Sequence, residues 1–275
     1  MTWLMQFLHR LPEWAVYCCI VAPVTLGIMA LPYAGRFACR IRPNEERSRG
    51  AIEAYKAIVA SLAFLLAFTL AQTQGMLRAS ETLVAHEAAA LNTMDRSLLR
   101  YDTSEFTDLR QSLHEMTRTI VEEEWPALAD GARSRKAEAI VDLLSRRIRS
   151  AEAATPRQQT LLNELLAKLD EFTDKREELI QNADTFTPAL FWNTIAAILL
   201  VLAGLSLFIT PSLERILTIG GITAAATLVL CLVVIEDAPF RGGSTISPAP
   251  IQRVYALMKA RQRDPAAMAA KVAPQ

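Results

Sequence analysis

The chain contains few of the side chains from which catalytic and metal centres are usually built. It has three histidines, at His9, His86 and His114, and no two of them have a zinc-ligand spacing. The adjacent pair His86 and Glu87 is typical of an exposed helix surface. Neither a glycine-rich phosphate loop nor a G-x-S-x-G motif occurs. We therefore expect no catalytic residue, no metal site and no cofactor, and we do not expect an enzyme.

Cysteine is also scarce, and none lies in the polar middle of the chain. All four cysteines are in or beside apolar stretches, at Cys18, Cys19, Cys39 and Cys231. A disulfide framework or a zinc site in the polar part is therefore excluded. We interpret the four thiols as small side chains packed among membrane helices.

Charged residues are absent from four long apolar stretches. These stretches cover residues 15–35, 57–77, 185–213 and 216–235. A helix of about 20 apolar residues crosses a hydrocarbon core about 30 Å thick, whereas surface helices of soluble proteins carry polar residues along one face. The sequence therefore predicts an all-α, integral membrane protein with four spans. We place the spans at about 12–33, 57–77, 188–210 and 216–235.

The polar residues between the second and third stretches form a separate block. Residues 78–184 contain 15 Lys and Arg against 21 Asp and Glu, a net charge of −6. An acidic block argues against nucleic acid as a partner, because phosphate binding requires clustered basic residues. We expect two transmembrane hairpins, a helical extramembrane domain inserted between spans 2 and 3, and a polar C-terminal tail. In chain order, the first hairpin, the domain, the second hairpin and the tail cover 1–77, 78–185, 186–240 and 241–275.

Apolar residues in the polar block recur at the spacing of packed helices. The second span is expected to continue as one helix to about Tyr101, because its apolar positions are seven residues apart. They are Leu77, Val84, Leu91 and Leu98. An apolar stripe over 106–120 predicts a helix that Pro126 and Asp130-Gly131 end, since proline interrupts helices and glycine is common just past a helix end. The last helix of the block is expected to begin with a capping box, in which Thr155 and Gln158 bond each other's backbone.

The second apolar stretch also carries a strip of polar and apolar residues on one side of a helix. The strip consists of Ser61, Leu65, Phe68, Thr69, Gln72 and Thr73. Such residues could line a water-filled pathway, with Leu65 and Phe68 as its apolar constriction. They are also typical of helix packing, where Ser and Thr let backbones approach closely. Taken alone, the pattern favours packing, and both interpretations remain open.

Four short segments occur in an order that resembles a known family. They are Ser61-Leu-Ala-Phe-Leu-Leu-Ala-Phe68, Glu87-Ala-Ala-Ala-Leu91, Glu123-Glu124-Trp125-Pro126-Ala127 and Pro239-Phe240-Arg241-Gly242. In this order, over about residues 56–253, the chain resembles the prokaryotic bestrophin-like membrane proteins. The resemblance marks a set of motif residues. They are Glu87, Glu124, Trp125, Pro126, Asp237, Pro239, Phe240, Arg241 and Gly242.

The resemblance implies a multimeric membrane protein and, by analogy with bestrophins, an anion channel. The chain departs from bestrophins in one respect, because only Glu236 and Asp237 stand where those proteins have a larger calcium-binding acidic cluster. A non-conducting membrane scaffold or sensor, which binds a partner through the acidic helical domain, is the alternative. The expected partners are the lipid bilayer, further copies of the chain and small inorganic anions.

The distribution of basic residues bears on how the chain is inserted in the cell (inner) membrane, where we expect it to be a multi-pass protein. Six basic residues surround the loop after the first span, at Arg36, Arg40, Arg42, Arg47, Arg49 and Lys56. The positive-inside rule places this loop in the cytoplasm and therefore residues 78–185 outside it. Basic residues after the last span, such as Arg253 and Lys259, and the analogy with bestrophins favour the opposite orientation.

Overall fold

The computed structural model describes residues 12–37, 44–101, 104–129, 132–184, 187–237, 240 and 245–263. Over these ranges the chain is helical and contains no strand, so the all-α prediction is confirmed. The α-helices are α1 (Glu13–Phe37), α2 (Glu45–Tyr101), α3 (Ser104–Thr119), α4 (Trp125–Ala129), α5 (Arg135–Arg149), α6 (Pro156–Asp184), α7 (Ala189–Ser206), α8 (Leu213–Glu236) and α9 (Ala249–Arg263). A π-helical segment, Ile120–Glu124, joins α3 to α4.

The chain divides into two compact units. Unit 1 comprises Met1–Met76 and Phe186–Thr245, and unit 2 comprises Leu77–Thr185 and Ile246–Gln275. Helix α2 contributes its first part to unit 1 and its last part to unit 2. Sequence analysis predicts only a polar tail after residue 240, whereas the structure forms helix α9 there.

Unit 1 has an apolar core built from α1, α7, α8 and the first part of α2. Its buried side chains include Ile28, Leu66, Leu202 and Val233. Helix α1 packs closely on α8 at Gly220. A Cβ added at this position would lie 2.7 Å from the Met29 Sδ atom of α1, which is too close. A glycine at this position therefore allows the two helices to approach each other.

Three of the described helices are long and apolar enough to cross a membrane, by length and composition. They are α1, α2 and α8. Helix α2 begins at Glu45, whereas the predicted span begins at 57. The Asn44 side chain caps the helix, since its Oδ1 atom accepts a hydrogen bond from the Arg47 amide at 3.0 Å. An asparagine cap of this kind starts a helix well before the apolar stretch at 57.

The third predicted span is longer than the helix that the structure forms. Helix α7 has 18 residues and ends at Ser206 rather than at 210. The chain then turns before Pro211, because the residue that precedes a proline is disfavoured in the α conformation. The Ser212 hydroxyl accepts a hydrogen bond from the Arg215 amide at 3.4 Å and starts α8. One uncharged stretch is thereby divided into a helix and a connection.

Unit 2 is a helical bundle whose buried residues follow the predicted stripes. In α3 and at the start of the π-helical segment, the whole predicted stripe is buried. It consists of Phe106, Leu109, Leu113, Met116 and Ile120. The capping box of α6 is confirmed, since the Gln158 amide donates to Thr155 Oγ1 at 3.2 Å and the Thr155 amide donates to Gln158 Oε1 at 3.1 Å.

Of the two predicted end signals, Pro126 does not end the helix, which continues to Ala129, while Asp130 and Gly131 lie outside the described residues. The π-helical segment widens the helix, so that the Trp125 amide donates to the Ile120 carbonyl, five residues back. Pro126 is then the second residue of α4. Because α3, the π-helical segment and α4 follow one another without a break, Pro126 lies inside a continuous helical run in which the π-helical turn has changed the hydrogen-bond spacing.

Candidate pore-lining face and buried charges

The part of helix α2 that lies in unit 1 has two faces with different surroundings. One face packs in the apolar core and carries buried residues at spacings of three and four. They are Tyr55, Val59, Leu62, Leu66 and Thr69. The opposite face has no packing partner among the described residues of unit 1. We call it the open face, and it consists of Ser61, Phe64, Phe68 and Gln72, all of them exposed.

The structure divides the predicted strip between these two faces. Ser61, Phe68 and Gln72 lie on the open face, whereas Thr69 is buried in the core. Leu65 is half-buried between the faces, whereas Thr73, four residues after Thr69, continues the packed face and is also half-buried. Consecutive helix positions are about 100° apart, so the neighbours Phe68 and Thr69 meet different surroundings. The open face therefore unites three of the six predicted residues.

Sequence reasoning missed Phe64, which is the most exposed aromatic residue of the open face. Its exposed fraction is 78%, compared with 56% for Phe68. The signal that could have found it is spacing, because positions 61, 64, 68 and 72 are separated by three, four and four residues, the repeat of one helix face. An unpacked pair of phenylalanines in the uncharged part of this helix is an apolar surface that lipid or another helix must cover.

The hydroxyl groups of the strip are already engaged within α2. Ser61 Oγ donates to the Ala57 carbonyl at 3.1 Å, Thr69 Oγ1 to the Leu65 carbonyl at 3.0 Å, and Thr73 Oγ1 to the Thr69 carbonyl at 3.0 Å. A hydroxyl has one proton to donate, so none of the three offers an N–H or O–H to a ligand in this arrangement. The amide of exposed Gln72 is the donor that the strip retains.

A polar cluster joins the first turns of α2 to the connection between α7 and α8. Ser48 Oγ accepts the Thr210 amide at 3.0 Å and a hydrogen bond from Arg215 Nη1 at 3.2 Å. Arg215 also forms an ion pair with Glu45. These contacts link the helices at one end of unit 1.

The motif around residues 237–242 is only partly within the described residues. Asp237 Oδ1 accepts the Thr187 amide at 3.1 Å and the Thr187 hydroxyl, so this carboxylate holds the chain just before α7. Phe240 is buried. The other predicted motif residues, Pro239, Arg241 and Gly242, lie outside the described residues. The structure thus gives Asp237 a positioning role.

In unit 2, three motif residues surround the π-helical segment. Glu124 is its last residue and is buried, Trp125 follows it, and Pro126 is exposed. The Trp125 indole donates a hydrogen bond to the Ile246 carbonyl at 3.1 Å. This bond attaches the end of the π-helical segment to the residues just before α9. Glu124 binds Arg176 of α6 through both carboxylate oxygens, with Nε 3.3 Å from Oε2.

Glu87 of α2 is buried beside this ion pair. Its side chain is 1% exposed, and its Oε1 atom has no hydrogen-bond partner in the described part of the chain. Burial raises the pKa of Glu87, the Glu124 carboxylate raises it further, and Arg176 opposes them, which brings the pKa to about 8. Burial also raises the pKa of Glu124, although the Arg176 guanidinium opposes this change. Glu87 therefore favours its protonated form at neutral pH.

A second buried carboxylate on α2, Asp95, has the opposite surroundings. Asp95 Oδ1 accepts Arg110 Nε at 2.7 Å and His114 Nε2 at 2.8 Å, and Oδ2 accepts Arg261 Nη1 at 2.8 Å. Burial alone would raise the pKa of Asp95, but these three hydrogen bonds outweigh it and lower the pKa to about 2. Sequence reasoning missed this cluster. Within the described residues, no three His, Cys, Asp or Glu residues could together hold a metal ion.

The chain is similar to known proteins in both sequence and fold. Residues 49–251 match the model of the bestrophin-like domain, which covers more than half of the chain. The chain belongs to the bestrophin-like family. The resemblance that the sequence motifs predict is therefore confirmed, and the chain is a membrane protein.

Solved structures with the same fold support this assignment. One is a crystal structure of a mutant bacterial bestrophin homologue from Klebsiella pneumoniae, with a TM-score of 0.61 and 14% identity over 88% of this chain and 97% of that one. Another is a crystal structure of a mutant membrane protein, with a TM-score of 0.60 and 14% identity over 89% of this chain and 96% of that one. No curated protein matches this sequence. At this identity the structural likeness establishes the fold.

Proposed function

We propose that this bestrophin-like protein is an oligomeric anion channel whose pore is lined by the open face of helix α2. The observation that carries the proposal is the exposure of Phe64 and Phe68 on a helix that contains no charged residue between 57 and 77. Apolar rings at adjacent helical turns form a constriction when several subunits place them around an axis. Membership of the bestrophin-like family supports this use of the face.

The proposed topology has four spans, with the helical domain at 78–185 inserted between spans 2 and 3. Helix α7 would be the third span, because its 18 residues rise about 27 Å and its centre is apolar. That rise is close to the hydrocarbon thickness of about 30 Å. The remaining spans are α1, the apolar part of α2, and α8, each long enough to cross.

Association of several copies is part of the proposal, and the surface beside the open face supports it. Small residues run along one flank of α2 and are exposed in the single chain, namely Ala60, Ala63 and Ala67. Small side chains allow membrane helices to approach each other closely. A neighbouring subunit packed on this flank would leave Phe64 and Phe68 facing the axis of the assembly.

Preference for anions would come from uncharged donors and from the ends of the stretch. Gln72 retains its amide N–H groups, whereas the hydroxyls of Ser61, Thr69 and Thr73 are engaged with backbone carbonyls. Lys56 and Arg78 are the basic residues directly before and after the uncharged stretch 57–77. Amide donors and flanking cations both stabilise anions in narrow pores.

The proposed location is the inner membrane, with residues 78–185 outside the cytoplasm. Six basic residues between 36 and 56 support this orientation through the positive-inside rule. The test is a pair of C-terminal reporter fusions, one active only in the cytoplasm and one active only outside it. Activity of the cytoplasmic reporter alone would reverse the proposed orientation.

Anion flux from liposomes tests the channel. Purified protein should release chloride from vesicles, and Phe64→Ala and Phe68→Ala should each change the rate, because the constriction widens. Leu217→Ala is the matched control, since Leu217 is an exposed apolar residue of α8 that the proposal places away from the pore. Absence of flux from correctly folded oligomers would contradict the channel and favour a non-conducting scaffold.

A further inference from the structure

The buried carboxyl pair in unit 2 has no role in the proposed pore, yet its arrangement is uncommon. Glu87 and Glu124 come from different helical segments, α2 and the π-helical segment, and both are almost fully buried. A π-helical turn inside a helix is a rare feature that often occurs at functional sites. Here it ends with the buried Glu124 side chain, while Glu122 and Glu123 are exposed.

The charges around the pair do not balance if both carboxyl groups are ionised. Arg176 of α6 supplies one positive charge and is bound to Glu124. Glu138 of α5 adds a further negative charge that acts on Glu124. The neighbouring His86 points to the surface, where its Nδ1 atom lies 4.0 Å from Glu171 Oε1.

One carboxyl group must therefore be neutral for the site to be stable, and the hydrogen bonding indicates which. Glu124 is bound to Arg176 through both carboxylate oxygens, and the guanidinium favours its ionised form. Glu87 has a buried oxygen, Oε1, without a partner in the described ranges. A buried carboxylate that lacks hydrogen bonds is strongly destabilised, whereas the neutral acid is tolerated.

We propose that Glu87, Glu124 and Arg176 form a proton-binding site in which Glu87 carries the proton, and that loss of this proton weakens the packing of helix α2 against the π-helical segment. Ionised Glu87 would place two carboxylates beside one guanidinium in a buried site. The resulting repulsion acts directly between the two segments. The proposal does not depend on whether the protein conducts ions.

The sign of the pH dependence follows from the proton count. In the unfolded chain a glutamate ionises near its ordinary pKa of about 4.3, while Glu87 in the folded chain keeps its proton to higher pH. The unfolded state therefore gains stability relative to the folded state as pH rises between these values. The protein should be more stable at mildly acidic than at mildly alkaline pH through this site.

The test compares thermal unfolding of the full-length protein in detergent for three chains. The wild-type unfolding temperature should fall as pH is raised from about 5 to about 9. Glu87→Gln, which imitates the neutral acid, should reduce this slope by half or more. Glu81→Gln is the control, because Glu81 is an exposed glutamate on the same helix, and it should keep the wild-type slope. An unchanged slope in Glu87→Gln would overturn the proposal.

A spectroscopic measurement on the wild-type protein covers the case in which Glu87→Gln does not fold. The infrared difference spectrum between acidic and alkaline pH should show the loss of a protonated carboxylic acid above neutral pH. In Glu124→Gln this transition should move to lower pH, because the opposing carboxylate is removed and Arg176 is free to pair with Glu87. A transition that stays at the ordinary glutamate range in the wild type would contradict the proton site.

Discussion

Asp95 and Glu87 lie on the same helix, are both buried, and have opposite electrostatic surroundings. Asp95 is bound by two guanidinium groups and an imidazole, and its pKa is lowered to about 2. Glu87 faces another carboxylate with one shared guanidinium, and its pKa is raised to about 8. Burial disfavours the ionised form of both carboxyl groups, so the number of cationic partners decides whether each pKa is raised or lowered. The comparison shows one carboxylate whose ionised form is stabilised by three hydrogen-bond donors and one whose neutral form is favoured.

The largest effect in this comparison is expected from Asp95→Asn. The substitution removes the negative charge that Arg110 and Arg261 pair with, and it replaces one of the two acceptor oxygens with an NH2 donor in a buried site. Removal of one partner from a buried ion pair typically destabilises a protein by about 3–5 kcal/mol. Thermal unfolding in detergent measures the change, with the exposed Asp108→Asn as control. A loss no larger than that of the control would show that Asp95 does not link the helices.

The two carboxylates should also respond to pH in opposite directions. Because the folded pKa of Asp95 is lowered from 3.8 to about 2, its stabilisation is complete above about pH 4 and is lost as pH falls toward 2. Each pKa unit corresponds to about 1.4 kcal/mol, so the acid loss amounts to about 2–3 kcal/mol. Unfolding free energies measured against pH should show this loss in the wild type and lack it in Asp95→Asn. A loss that persists in the variant would assign it to other groups.

A smaller effect is expected when Asp95 loses only one of its cations. Arg261→Met removes the hydrogen bonds to Asp95 and Asn92, while Arg110 still pairs with the carboxylate and His114 still forms a hydrogen bond with it. Hydrogen bonds to charged groups contribute about 1.5–3 kcal/mol, and the unfolding free energy should fall within that range. Arg263→Met, at an exposed position of the same helix, should have little effect. Equal losses in both variants would mean that α9 is not held by the Asp95 cluster.

The smallest effects concern polar groups in the apolar part of α2. Ser61→Ala removes a hydroxyl that bonds only its own helix, so stability should change by less than about 0.5 kcal/mol and chloride flux should stay near the wild-type rate. Gln72→Leu should leave stability similar but lower the preference for chloride over cations, measured as a reversal potential in bilayers. A larger change in selectivity for Ser61→Ala than for Gln72→Leu would reverse the donor assignment.

Part of this structure is readable from local sequence. Thr155 and Gln158 predict their capping box because the interaction spans three residues, and the stripe over 106–120 predicts its own burial because helical periodicity is local. The open face of α2 is only partly readable. Periodicity shows which residues share a side, but not which side a neighbouring helix covers, and so Thr69 is buried while Phe64 is exposed.

A proline does not by itself decide where a helix ends. Pro126 indicates a helix end by a strong local rule, yet the π-helical segment before it allows the chain to continue into α4. The wider turn is accompanied by long-range contacts, in which Glu124 binds Arg176 of α6 and Trp125 binds the Ile246 carbonyl. Such partners are 52 and 121 residues away in the chain, and no local pattern reveals them.

The sequence by itself determined that the chain is an all-α membrane protein of the bestrophin-like family, because long uncharged stretches and short motifs are properties of consecutive residues. Only the tertiary structure decided the state of its buried charges. Glu87 and Asp95 are both acidic residues of one helix, and their pKa values separate because different distant segments, α6 and the π-helical turn in one case and α3 with α9 in the other, bring them different numbers of cations. Electrostatic interaction depends on distance in space, which the order of residues does not contain.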